Sequence, residues 1–141
     1  MKRRSRAREV ALQLLFQFDN NVKTTPAAVV PFAAQRLREP ALVKFCMALY
    51  EGVSQNVKDI DARLAKAAEN WRVARMTAVD RNILRIGAYE LLFQADTPPA
   101  VAMDEAVELA RRFGTADSSA FVNGVLDRLR RDAAPPPPTE T

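Results

Sequence analysis

Apolar residues return every three or four positions along almost the whole chain, and nowhere do apolar and polar residues alternate for the length of a strand. That pattern predicts an all-α protein. Ala7, Val10, Ala11, Leu14 and Phe18 form one stripe and predict a first helix over residues 4–19, after which Asp19, Asn20 and Asn21 favour a turn. Thr25 and Pro26 read as an N-cap and first helical position, opening a short helix to about residue 38. Pro31 lies inside it and should kink it or end its first turn. From Pro40 onward, Leu42, Phe45, Leu49, Val53, Val57, Ile60, Leu64 and Ala67 keep one face apolar, as one long helix or two nearly collinear ones, with Gly52 a weak point.

Trp71 and Met76 fall in a connector. Thr77, with Asp80 three residues on, resembles a capping box for TAVDRNILRIGAYELLFQ, whose Ile83, Leu84, Gly87, Leu91 and Leu92 face inward. Asp96, Pro98 and Pro99 stop that helix. AMDEAVELARRF forms another and ends at Gly114, read as a C′ glycine after two arginines that complement the negative helix end. Asp117 or Ser118 caps a last helix to about residue 131, with Phe121, Val122, Val125, Leu126 and Leu129 on its core face. The sum is six or seven helices in one domain over residues 1–132, followed by a disordered proline-rich tail, 133–141.

With 141 residues, 48% of them hydrophobic, the chain can bury a core without disulfides or metal. Cys46 is alone, which excludes an intramolecular disulfide, and there is no histidine. Histidine-based acid/base chemistry, histidine triads and the usual zinc sites fall away together. The four glycines are scattered and make no phosphate loop, so no catalysis, cofactor or metal is expected. No segment approaches the ~20 apolar residues that span a bilayer, and the basic start lacks a small-residue cleavage site. A cytoplasmic protein is expected.

Charge changes the picture. The formal net charge is +4, yet the first eight residues carry +5 and no acid, leaving −1 for the rest. Lys2, Arg3, Arg4, Arg6 and Arg8 therefore crowd the positive end of the first helix, where the macrodipole disfavours them. A solubilising tail is one reading. The other is a partner carrying phosphates, since arginine forks onto phosphate and stacks on bases. Leu12 and Phe16 lie off the main stripe, beside Arg6, Glu9, Gln13 and Gln17. Either the helix is sandwiched between two layers, or it offers an apolar spot to a partner protein or a base. Phe121 stands in the first turn of the last helix beside Ser118 and Ser119, as core or as a nucleotide contact.

The stretches RRSRAREVALQLLFQFD, AVDRNILRIGAYELLF and PPAVAMDEAVELARRFGTADSSAFVNGVLDRL resemble the NusB transcription antitermination factor family, in order and spacing, over most of residues 3–130. The resemblance implies an all-helical fold of two small bundles packed crosswise. It also implies a non-catalytic factor that binds the boxA element of nascent ribosomal RNA leader transcripts together with NusE, the tenth small-subunit ribosomal protein, in the RNA polymerase antitermination complex.

Carried onto this sequence, the family's arginine-rich start falls on Arg3, Arg4, Arg6 and Arg8, which would hold the RNA backbone. Arg85 matches a basic position, and Asp117 and Phe121 match the RNA-binding surface, with Ser118 beside them. Phe16 takes an aromatic position and Asp80 an acidic one near the NusE and RNA junction. These residues make one surface only if the first and last helices are neighbours, and an arm that is partly disordered when free would cost ordering entropy on binding. A helical RNA-binding module acting in trans with an RNA-modifying enzyme, or a protein-only helical adaptor, are the alternatives. The Phe16 face would also serve a homodimer.

Overall fold

The computed structural model describes residues 3–19, 26–69 and 72–133, and every regular element among them is helical. In chain order these are α1 (Arg3–Asp19), α2 (Pro26–Leu37), α3 (Pro40–Gln55), α4 (Val57–Ala68), α5 (Ala78–Phe93), α6 (Pro99–Phe113) and α7 (Ser118–Ala133), with a 3₁₀ turn at Val73–Arg75 before α5. The expected cap at Thr25, the turn at Asn20 and Asn21, Trp71 and the tail beyond Ala133 lie outside the described residues. No described helix is long and apolar enough to cross a membrane.

Helices α1, α2 and α3 pack on one another as a first bundle, and α4, α6 and α7 gather around α5 as a second. Helix α5 joins the two, because it also lies against α1 and α3. Its burial runs round most of its circumference: Ile83, Leu84, Ile86 and Ala88 are buried, and so are Asn82, Arg85 and Glu90. Charged residues at those positions look like a solvent face in the sequence, and in the fold they are the interior.

Two polar clusters satisfy them. Near the start of α1, Arg8 donates from Nε and Nη2 to the Glu90 carboxylate at 2.7 and 2.8 Å, and its guanidinium lies 5.1 Å from the centre of the Phe45 ring. At the other end of α1, Asp19 accepts from Arg81 at 2.7 Å and from Arg85 at 3.2 Å. Arg85 also forks onto Asp61 of α4 at 2.9 and 2.7 Å. Burial works to raise the Asp19 carboxyl, but the Arg81 hydrogen bond and the charge of Arg85 outweigh it and hold its pKa below the ordinary value. Burial likewise opposes the charge on Arg85, and Asp61 and Asp19 more than offset it, so its pKa is raised.

Several local expectations change. Pro31 does not end α2, which runs on to Leu37. Of the two arrangements left open after Pro40, the fold takes two helices: Asn56, at φ −114° and ψ 15°, interrupts the apolar face, and its amide Nδ2 donates to the Gly52 carbonyl at 2.7 Å. Gly52 is no mere weak point, since a Cβ there would overlap the Tyr89 ring of α5. Gly114 does end α6, but at φ −92° and not in the left-handed region, so it is not an αL cap. Its hydrogen is needed for space, because Ser118 sits where a Cβ would go. In α1 the core takes Leu12 and Leu15 as well as the predicted stripe, while Phe18 is exposed. Cys46 is buried, and burial pushes its thiol up to about 12, so it packs as a small protonated side chain.

Candidate nucleic-acid interface

From Arg3 onward the basic segment is helical, as the stripe predicts from residue 4. The fold also resolves the clash with the macrodipole by bringing acids to it. Arg3 pairs with Glu39 at the start of α3, and Arg6 with Glu9 at 2.9 Å. Ser5 donates to Glu105 of α6 at 2.7 Å, and Arg4 rests 4.5 Å over the Phe45 ring. Arg3 and Arg4 border a hollow of about 320 Å³ against the turn between α5 and α6. Lys2 lies outside the described residues.

Three of the expected RNA contacts are buried in the fold. Arg8 is 3% exposed, with Nε and Nη2 on Glu90 of α5 and Nη1 3.8 Å from Glu105 of α6, so it holds α1 to both helices. Arg85 is 6% exposed and engaged by Asp61, Asp19 and Asn82. Ser118 is buried too: its Oγ accepts from the Thr115 backbone N–H at 2.9 Å and closes the turn into α7. Arginines and a serine at such positions carry no sequence mark that separates core from surface.

Asp80, Asp117, Ser118 and Phe121 do come together, around a hollow of about 320 Å³ that Met76 and Thr115 complete. Two local devices shape it. Thr77 caps α5, its Oγ1 accepting from the Asp80 N–H at 3.1 Å, and Phe121, in the first turn of α7, donates its N–H to the Asp117 carbonyl at 3.1 Å. Asp117 is exposed, and Phe121 packs half-buried against the core. Asp80 Oδ1 is buried with no hydrogen-bond partner among the described residues.

Phe16 faces a different and larger cavity, of about 500 Å³, between α1, α2 and the ends of α5 and α6. Leu12, Phe16, Phe32, Val79 and Phe113 give it apolar walls, and Glu9, Gln13, Gln17 and Arg36 the polar ones. The two readings of this helix face are both partly realised: Leu12 is buried and Phe16 is exposed. Helix α5 stands between α1 and α7, and both pack on it. The cavity and the Phe121 hollow meet along the chain at Val79 and Asp80, and at Phe113 and Thr115. The sequence reading missed Phe32, Arg36 and Phe113, which look there like ordinary members of amphipathic helices.

The NusB family model matches residues 5–131. This chain belongs to the NusB family. Among similar proteins, the transcription antitermination protein NusB of Sorangium cellulosum is 43% identical over 129 residues, 92% of each chain. That of Streptomyces avermitilis is 44% identical over 133 residues, again 92% of each. The solved structure of T. maritima NusB superposes with a TM-score of 0.82 at 34% identity, covering 96% of this chain and 94% of that one. A solved complex of the antitermination factors NusB and NusE with double-stranded RNA has a TM-score of 0.83 at 22% identity, over 94% and 98% of the two chains, a likeness of fold.

Proposed function

We propose that this chain is a transcription antitermination factor. It binds the boxA element of nascent ribosomal RNA leader transcripts together with NusE and helps RNA polymerase read through ribosomal RNA operons in the cytoplasm. The observation that carries the reading is likeness over nearly the whole length, at 43% and 44% identity, to relatives that bear this activity in their names. A structural neighbour of the same fold is held in a complex with NusE and RNA.

On this reading Lys2, Arg3, Arg4 and Arg6 neutralise phosphates. Arg3 pairs with the exposed Glu39 and Arg6 with the buried Glu9, so a phosphate meets guanidiniums that are positioned in advance. Bases stack at Phe121, with Asp117 on the rim of the same hollow. Asp80 Oδ1 accepts from a base amine or from NusE, and the exposed Phe16 ring adds apolar contact for NusE.

The test is a titration of boxA RNA and a scrambled control, with and without NusE, at two salt concentrations. Selective binding to boxA that tightens with NusE is expected. Equal binding to both RNAs, indifferent to NusE, would overturn the reading.

A further inference from the structure

The first turn of α1 carries Arg3, Arg4 and Arg6 and no acid, so the macrodipole and the repulsion among its cations both work to fray it. A carboxylate from another helix answers both. Both oxygens of Glu105 in α6 lie 2.7 Å from Ser5 Oγ, and one of them lies 3.8 Å from Nη1 of Arg8. Ser5 and Arg8 are three residues apart and share a helix face, so a single acid grips α1 at two successive turns.

The other ties on this turn are weaker. Arg3 and Glu39 form an exposed pair, and such pairs contribute little. Arg4 meets the face of Phe45. Glu105 has only 12% of its side chain exposed, and a hydroxyl bonded to an ionised carboxylate away from water is the stronger hold. With Ser5 held on α6, the roll of the first turn is fixed. Arg4 and Arg6 leave the helix about 100° to either side of Ser5. Arg4 then lies over Phe45 of α3, and Arg6 reaches Glu9, which Arg112 of α6 also holds at 3.4 Å.

We propose that Glu105, acting through Ser5, is a positioning residue for RNA binding: it sets the order and rotation of the first turn of α1, and so presents Arg4 and Arg6 to phosphates without touching the RNA. The inference rests on the RNA-binding reading above. Simple charge and helix propensity predict the reverse. An acid beside the cations repels RNA, so its removal should tighten binding, and alanine is a better helix former than serine, so Ser5→Ala should firm the helix if the hydroxyl did nothing.

The test is a titration of single-stranded boxA RNA at several salt concentrations, with binding referred to the folded fraction. It uses the full chain, Ser5→Ala, Glu105→Ala, their double variant, Glu105→Gln and, as a charge control, Glu108→Gln on the exposed face of α6. Ser5→Ala and Glu105→Ala should each weaken binding about 5-fold, the equivalent of one net hydrogen bond. The salt slope should be kept, because the arginines still reach phosphates once the turn is ordered. The double variant should bind no worse than either single one. Glu105→Gln, whose amide oxygen still accepts from Ser5, should recover most of the loss. The helix ladder bonds the amides of Ala7 and Arg8 to the carbonyls of Arg3 and Arg4, and their hydrogen exchange should quicken in Ser5→Ala but not in the control.

If Ser5→Ala binds as tightly as the unaltered chain, or Glu105→Ala binds more tightly in the manner of Glu108→Gln, the positioning role is lost and the RNA-binding reading stands. Losses that add in the double variant also overturn it, since they show two independent effects. An unaltered chain that binds no RNA removes the functional reading and this inference together.

Discussion

Arg8 of α1 and Glu90 of α5 meet through two parallel hydrogen bonds of 2.7 and 2.8 Å, with 3% and 1% of their side chains exposed. A cation in the most basic stretch of the chain is thus an internal fastener between the two bundles. Removing one partner leaves the other charged and buried, which costs about 3–5 kcal/mol, whereas replacing both with apolar residues of similar size is often close to neutral. Arg8→Ala is therefore expected to lower unfolding stability by that amount, and Arg8→Met with Glu90→Leu to recover most of it. Denaturant unfolding measures both, and a loss under about 1 kcal/mol in Arg8→Ala would contradict the burial of the pair.

Asp19 fastens the opposite end of α1, and its pKa is depressed. The unfolded chain therefore takes up the proton at higher pH than the folded one. The stability Asp19 contributes is whole above its unfolded value, about 3.9, and is lost as pH falls through the folded value. Melting temperature should fall steeply below about pH 4, and Asp19→Asn, less stable at neutral pH, should show a shallower fall over the same window. Parallel curves for the two proteins would remove Asp19 from the acid response.

Gly52 and Gly124 make opposite predictions from the same substitution. A methyl at Gly52 collides with Tyr89 across the α3–α5 contact, so Gly52→Ala should destabilise by about 1–3 kcal/mol. At Gly124 in α7 nothing stands within 4 Å of the added carbon, and Gly124→Ala should stabilise by up to about 1 kcal/mol through helix propensity. Thermal melts of the two single variants suffice to check the signs.

Helical periodicity made most of this fold readable, because the core stripes of α3, α4 and α7 repeat at offsets of three and four and are buried as such. It failed where one helix is surrounded. Arg85 and Glu90 break the stripe of α5 yet lie inside, because their counter-charges, Asp61 and Arg8, come from residues 24 and 82 positions away, a pairing no local pattern encodes. For the candidate site, helix position brought Phe121 forward and the family resemblance Asp117, and both border one hollow. The Arg112–Glu9 bridge spans 103 positions and was invisible for the same reason as the buried pairs.

The surface cations and the buried one should separate cleanly in salt titrations. Arg4 and Arg6 sit on the outer side of the first turns of α1, so Arg4→Gln with Arg6→Gln should reduce the salt slope of RNA binding by about 1.4, twice the single-strand value per phosphate. Arg8→Gln should leave the slope of its folded fraction unchanged while lowering the melting temperature. A slope loss from Arg8→Gln equal to that of Arg6→Gln would place its guanidinium on RNA after all.

Asp80 has half a capping box. Its backbone N–H is held by Thr77 Oγ1 at 3.1 Å, but its own carboxylate makes no return bond, and Oδ1 is buried without a partner among the described residues. In a complete box the residue at this position is glutamate or glutamine, whose extra methylene lets the side chain reach back to the backbone N–H of the cap. Asp80→Glu should supply that reach, satisfy one more donor at the start of α5 and keep a negative charge at the positive end of the helix. A gain of about 0.5–1 kcal/mol follows, seen as a rise of about 3 °C in the melting temperature. The same change moves a carboxylate that borders the Phe121 hollow. If Asp80 Oδ1 serves RNA or NusE, Asp80→Glu will be more stable yet bind more weakly, whereas a gain in stability with binding untouched would mark the unpartnered oxygen as a capping defect alone.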